Sequence, residues 1–295
     1  MTVLVVGGTG RLGSLIVQSL SADGTQVRVL TRNETSADQL RQVGIETTVG
    51  DLRDAGCVRR AVEGCASVVS AASGFGPMGS ASPKSVDRDG NLTLIEEAMR
   101  ANVEHFVLLS MHGARPDASL ELLRMKYAAE QFLVSSGLSW TIIRPTAFLE
   151  TYLDVVAQPM KRRNSTLVFG KGDVVVNFVS VSDVAALVCK ALRDGDLRGR
   201  TIDWGGANLT LNDLSAALHE GAGRPGSTIH VPLGLLRAIS ITARPFSPFV
   251  SRVTSAAVWM NSRPAPFDAA PERRQYPDLA QASVSAAIAA IRSAA

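Results

Sequence analysis

An α/β fold built on a doubly wound parallel sheet is predicted by three features of this 295-residue chain. Short apolar runs alternate with segments of helical periodicity as far as about residue 150. The runs are almost continuously apolar, as strands covered on both faces must be. A glycine-rich turn, Gly7-Gly8-Thr9-Gly10-Arg11-Leu12-Gly13, joins the first run to the first helix.

Each element follows from local pattern. Val3–Val6 is rich in β-branched residues and ends at Gly7. Residues 11–22 set Leu12, Leu15, Ile16 and Leu20 at helical spacing. Gln26–Leu30 reads as a second strand, 35–43 as a helix and Ile45–Val49 as a third strand. A short helix over Val58–Val62 precedes a fourth strand, Ser67–Ala71. Residues 85–102 predict one long helix through Leu92, Leu94, Ile95, Ala98 and Met99. His105–Leu109 is the fifth strand, 119–136 the next helix and Trp140–Ile143 the sixth strand. Crossovers between such strands are right-handed.

The pattern changes after about residue 150. Leu167–Phe169 and Val174–Val179 are strand-like, and a helix to Arg193 starts with Ser182 or Asp183 as its cap. Thr210 with Asp213 three residues on is a capping-box arrangement. Residues 225–270, rich in Pro and Ser, read as helices and loops covering a pocket, and 279–293 as an Ala-rich helix. The expected division is a nucleotide-binding domain over 1–150, to which 174–206 returns, and a smaller substrate region over 151–295.

Composition narrows the function. The chain is long enough to bury a full core without disulfide or metal. A formal charge of +3, from 30 basic and 27 acidic residues, argues against a nucleic-acid partner, and the short run Lys161-Arg162-Arg163 reads as a solvated face. Cys57, Cys65 and Cys189 lack CxxC spacing, which points to no metal and to a reducing cytoplasm. The first apolar run is only a strand long, and none approaches the roughly 18 residues that span a bilayer, so no membrane partner is expected. Monomer and homodimer both stay open.

The chemistry lies at the strand ends. Gly7, Gly10 and Gly13 have the spacing of a Rossmann-type dinucleotide turn, where glycines permit a tight bend, close approach of a pyrophosphate and close helix packing. The helix N-terminus beyond supplies N–H groups and a positive dipole end, so Thr9, Arg11 and Leu12 join the expected cofactor contacts. An NAD site places Asp or Glu at the end of the second strand, but this chain reads Leu30-Thr31-Arg32-Asn33. Arg32 suits a 2′-phosphate, so NADP(H) is favoured over NAD(H). Arg11 can stack on adenine. Asp51 can accept from the adenine amino group or cap a helix, and Leu52 can pack on the adenine face.

These pieces resemble the NmrA-like branch of the atypical short-chain dehydrogenase/reductases, which includes quinone-reductase-like and isoflavone-reductase-like enzymes. The match runs through Gly7–Gly13, Thr31-Arg32, Gly50-Asp51, Ala71-Ala72-Ser73, Asn91, Leu109-Ser110, Gly113-Ala114, Lys126 with Glu130, and Trp140-Thr141-Ile142-Ile143-Arg144-Pro145. It continues through Val181–Ala185 and Gly205-Gly206…Leu209-Thr210, so it covers roughly residues 1–235. The resemblance implies cofactor contacts at Ala71, Ala72 and Ser73, and a turn Pro145-Thr146-Ala147-Phe148 lying against the nicotinamide.

One departure matters. Most short-chain dehydrogenases carry Tyr-x-x-x-Lys, which sets both side chains on one helix face. Here Lys126 is present, but the position four before it is Leu122, and Tyr127 is turned about 100° away. Ser110, His112 and Lys126 remain as catalytic candidates. In the isoflavone-reductase-like relatives a lysine on this helix is the acid/base, so Lys126 comes first, with ribose binding as its alternative role. Histidine can pass a proton at neutral pH. Phe75 and Phe148 are candidate pocket walls, with Met78, Phe178, Trp204 and Trp259 behind them. The expected activity is NADPH-dependent reduction of a small aromatic, quinone or enone substrate. A non-catalytic NADP(H) sensor and a tailoring enzyme acting on a polycyclic aromatic are the alternatives.

Overall fold

The computed structural model describes residues 1–75, 81–223 and 226–293. In chain order its elements are β1 (Thr2–Val6), α1 (Arg11–Ala22), β2 (Gln26–Thr31), α2 (Glu34–Gln42), β3 (Glu46–Val49), α3 (Ala55–Val62) and β4 (Ser67–Ser70). A π-helix (Pro83–Gly90) leads into α4 (Asn91–Arg100), followed by β5 (His105–Leu109), α5 (Glu121–Ser135) and β6 (Trp140–Pro145). Then come β7 (Ala147–Phe148), α6 (Leu149–Ala157), α7 (Met160–Arg163), β8 (Ser165–Phe169), β9 (Val176–Val179), α8 (Val181–Arg193) and β10 (Arg200–Trp204). The chain closes with β11 (Ala207–Leu209), α9 (Leu211–Gly221), β12 (Ser227–Val231), α10 (Leu233–Thr242), α11 (Pro248–Met260), α12 (Ala270–Gln275) and α13 (Val284–Ser293). No helix among the described residues is long and apolar enough to cross a membrane.

Two compact units emerge, Met1–Pro145 with Val184–Trp204, and Thr146–Asp183 with Gly205–Ala295. The first holds one parallel sheet in the order β10-β6-β5-β4-β1-β2-β3. Strand order reverses between β1 and β4, so their loops diverge and open a crevice at the carboxyl edge. Alternate strand residues face opposite sides. Leu4, Val68, Phe106, Leu108 and Ile142 pack against Val58 and Val62 of α3, Leu94 and Ile95 of α4 and Leu133 of α5. Val5, Val29, Val69 and Val107, each fully buried, face the other side.

The expected helix over 85–102 is divided. Pro83–Gly90 is π-helical, capped reciprocally by Ser82 and Ser85, and the α-helix begins only at Asn91. Asn91 is buried and donates from Nδ2 to the Asp87 and Val86 carbonyls at 2.9 and 3.3 Å, holding the wide turn, while its Oδ1 accepts from Ser70 Oγ at 2.5 Å. Such bulges recur at functional sites.

The second unit has a three-stranded sheet, β11-β9-β7, and a parallel β12–β8 pair. Leu153, Val168, Phe178, Leu211, Leu214 and Met260 form its core. The capping box of Thr210 and Asp213 is present. The expected cap at Ser182 or Asp183 is not. Ser180 Oγ accepts from Ser182 N–H at 3.2 Å, and Asp183 instead accepts from Arg273 Nη2 at 2.7 Å and Ala282 N–H at 3.0 Å. Both strand β12 and strand β10 escaped the sequence pattern; β12 lies within the stretch read as helices and loops.

Candidate active site

The cradle at the end of β1 requires its glycines. Gly7 adopts φ 86°, and a Cβ there would lie 2.8 Å from the Ala71 carbonyl carbon. A Cβ on Gly13 would lie 2.1 Å from the Gly7 oxygen. Gly10 N–H donates to that oxygen at 3.0 Å and starts α1 with no side-chain cap and no acidic residue in the first turn. This leaves the positive end of α1 to an anion, and the tight backbone fits a dinucleotide pyrophosphate. Thr9 and Arg11 are exposed, whereas Leu12 is buried, so its side chain belongs to the core.

Beside it, β2 and β3 end together, with Gly50 N–H donating to Thr31 O at 2.9 Å. Arg32 is exposed there. Asp51 is held by Arg53, which donates from Nε at 2.9 Å and Nη2 at 2.8 Å. That guanidinium keeps the Asp51 carboxyl below the usual range, and the charge of Arg32 adds to the effect. Asp51 is not a helix cap. Asp54 caps α3 by accepting from Gly56 and Cys57 N–H. Leu52 is also corrected, because its side chain fills core space opened by Gly90, where a Cβ would stand 2.9 Å from Leu52 Cγ.

Lys126 sits at the centre of the edge, buried on α5. It donates to Leu109 O at 2.8 Å, stands 3.0 Å from Asp87 Oδ1 and reaches Ala72 O at 3.5 Å. Asp87 is fully buried, and its Oδ2 accepts from Gly74 N–H at 2.8 Å. The Ala72 carbonyl therefore lies beside an ion pair that Leu109 O and Gly74 N–H hold from the backbone. Glu130, four residues from Lys126, does not pair with it; Glu130 accepts a bidentate contact from Arg144, 2.8 Å from Nε and 2.5 Å from Nη2, which raises the Arg144 pKa. Ser110 Oγ, beside Leu109, is buried with no hydrogen-bond partner. An orphaned hydroxyl at the carboxyl edge of the sheet fits a site that binds a polar ligand.

His112 stands two residues further on. The chain past β5 keeps bonding to β6, with Ser110 N–H donating to Ile143 O at 2.8 Å and His112 N–H to Pro145 O at 2.9 Å. The imidazole thereby crosses β6 and reaches β10, where its Nδ1 lies 2.7 Å from Asp203 Oδ1. Both groups are part-exposed, 42% and 32%.

Neither Asp87 nor Asp203 was found by sequence reasoning. Asp87 lies four residues before Asn91, and Asp203 just precedes Trp204 and the Gly205-Gly206 pair, so the only signals were a carboxylate inside a predicted helix and one at an unrecognised strand end.

The remaining candidates separate. Phe75 is half-buried. Met78 lies outside the described residues. Thr146 and Phe148 fall in the second unit, where Thr146 Oγ1 donates to Asn177 Oδ1 at 2.9 Å and Phe148 is half-buried in β7. Trp204 and Phe178 are core residues rather than pocket walls, and Phe178 meets Tyr152 edge-on at 5.2 Å. Burial pushes the Tyr152 hydroxyl up to about 12, so it stays protonated at neutral pH and is a weaker acid than a free phenol. Trp259 packs against the second core.

Comparison with known proteins agrees with this geometry. The model of the family described as NAD(P)H-binding matches residues 7–195, well over half of the chain. The photosystem II assembly factor Ycf39 of Trieres chinensis is 29% identical over 241 residues, 81% of this chain and 75% of that protein. The NAD(P)H azoreductase of Xenophilus azovorans is 29% identical over 232 residues, 78% of this chain and 77% of that protein. An NADPH-dependent quinone oxidoreductase of Escherichia coli, solved with NADPH, shares the fold with a TM-score of 0.78 at 18% identity, over 98% of this chain and 99% of that one. The chain therefore belongs to the NAD(P)H-binding family.

Proposed function

We propose that this protein is an NADPH-dependent oxidoreductase that reduces a small aromatic, quinone or enone substrate. The observation that carries the reading is the joint placement, on one sheet edge, of the glycine cradle and the His112–Asp203 pair. The azoreductase and quinone oxidoreductase among its relatives support the same class. Arg32, with no carboxylate at the end of β2, favours the 2′-phosphate of NADPH. The second unit is the region we assign to substrate selection.

Bound NADPH supplies the hydride. The chain positions and protonates. The N-terminus of α1 holds the pyrophosphate, and Asp51 takes the adenine amino group. Lys126 is already tied to Asp87 and Leu109 O, so it orients the ribose side of the site rather than giving up a proton. Ser110 Oγ bonds a substrate or cofactor oxygen. His112 donates the proton to the oxygen or nitrogen left negative by reduction, while Asp203 holds the ring through Nδ1.

Mixing the protein with NADPH and a panel of quinones, azo compounds and enones tests the reading through absorbance loss at 340 nm, with NADH as control. Acceptor-dependent oxidation, faster with NADPH, is expected, and Arg32→Ala should erase most of the coenzyme preference. Tight NADPH binding without turnover of any acceptor overturns it in favour of a nucleotide-responsive assembly or regulatory factor. One observation favours that second reading: buried Leu122 occupies the tyrosine position, and an assembly factor is among the relatives.

A further inference from the structure

Eight large apolar side chains are exposed among the described residues, and four of them, Leu235, Ile241, Phe246 and Val250, lie in one short stretch of the second unit. Helices α10 and α11 form a hairpin there that packs chiefly on itself. Phe246, 88% exposed, and Ile241, 73% exposed, mark the tip. Soluble surfaces tolerate scattered apolar residues, but a cluster on a protruding element marks an interaction site.

Two features say what covers it. First, the turn needs nothing from water for its N–H groups. Ala243 N–H donates to Ile239 O, Arg244 to Ile241 O, and Phe246 and Ser247 to Ala243 O, while Pro245 and Pro248 have no N–H at all. Ser251 Oγ donates to Ser240 O at 2.6 Å and ties the two helices. Such a tip can leave water without stranding a donor. Second, the hairpin presents basic charge. Residues 221–267 contain no Asp or Glu, while Arg237 and Arg244 are exposed on it and Arg263 follows it, exposed as well. A two-fold contact between copies would set these arginines against each other with no nearby acid on the segment, which disfavours self-association. An exposed apolar turn flanked by arginines instead matches an anionic lipid surface.

We infer that the α10–α11 hairpin docks the protein on anionic membranes, with Phe246, Ile241 and Val250 entering the headgroup boundary and Arg237 and Arg244 meeting lipid charge. The lack of a spanning helix does not bear on surface contact of this kind. The test is flotation of the full chain with vesicles of phosphatidylcholine alone or mixed with phosphatidylglycerol. Binding to the mixed vesicles only, falling as salt rises above about 0.15 M, is expected. Phe246→Ser with Ile241→Ser, and separately Arg244→Glu, should each weaken it at least tenfold while leaving thermal midpoint and NADPH binding unchanged. No flotation with either vesicle overturns the inference. So does flotation that these variants do not alter. A wild type that sediments as a dimer, made monomeric by Phe246→Ser without any vesicle binding, assigns the tip to a second copy instead.

Discussion

Lys126 and His112 stand on the same edge of one sheet, each against an aspartate, and burial divides their chemistry. Lys126 and Asp87 are almost wholly enclosed, with side chains 7% and 0% exposed, and backbone groups take up what the pair leaves. His112 and Asp203 remain in partial contact with solvent. A buried pair resists losing its proton balance, because either partner alone would be a stranded charge. A half-exposed pair can be refilled with protons between turnovers. The same pairing of a cation with a carboxylate thus builds the site in one place and can operate it in another.

The largest effect should come from breaking the buried pair. Lys126→Met leaves Asp87 charged and enclosed, and should cost about 3–5 kcal/mol of stability in urea denaturation at neutral pH. Adding Asp87→Asn should recover most of that loss. A Lys126→Met protein as stable as wild type would mean that the pair does not hold the edge together.

The opposite end of β5 extends the comparison to a histidine with no carboxylate. His105 is buried, its Nε2 lies 3.0 Å from Thr141 Oγ1, and Thr141 in turn donates to Leu197 O at 2.8 Å. Nε2 is therefore the donor, and Nδ1 is left as a bare, enclosed lone pair. Desolvation pushes this ring down to about 4, with the charge of Arg198 adding to it. The unfolded chain takes up the proton near the ordinary value of about 6.5. Between those values the unfolded state binds more protons, so stability falls as pH drops from 6.5 toward 4, by at most about 3 kcal/mol. Above 6.5 this residue contributes no pH dependence. Urea midpoints measured across that window should slope for wild type and flatten for His105→Gln. An equal slope in both would assign the acid sensitivity elsewhere.

Much of the first unit was legible because its signals are local. Continuous apolar runs fixed β1, β2, β4 and β5 to within a residue or so, and the glycine spacing located the cradle that Gly13 and Gly7 could not form with a Cβ. What stayed hidden depends on contacts across the chain. Asp87 looked like one more polar residue in a helix until the π-turn carried it under Lys126. Asp203 is 91 residues from His112, and β10 is too polar at Arg200, Thr201 and Asp203 to read as a buried strand. Leu52 misled for the opposite reason: its neighbour Asp51 faces outward, and one residue's rotation sends it into the core. Residues 236–295 offered no motif, and what distinguishes the hairpin at their start is the absence of acid from 221–267 beside exposed apolar side chains.

The smallest expected effect sharpens the comparison most, since it separates operating from building. His112→Gln should leave stability near wild type, because the imidazole is part-exposed, yet lower turnover of an enone acceptor about 10²-fold. Asp203→Asn keeps the imidazole and removes only its anchor and the neighbouring negative charge. Turnover of the enone should fall about tenfold with the thermal midpoint unchanged. A merely structural Asp203 would lower the thermal midpoint and turnover together. Acceptor choice adds a further cut. A reduced quinone oxygen is protonated readily by solvent, whereas an enolate or amide anion in a closed site is not. His112→Gln should therefore spare quinones and penalise enones and azo compounds. Equal loss on all acceptors would show that His112 positions the substrate, and loss on none would return the proton to water throughout.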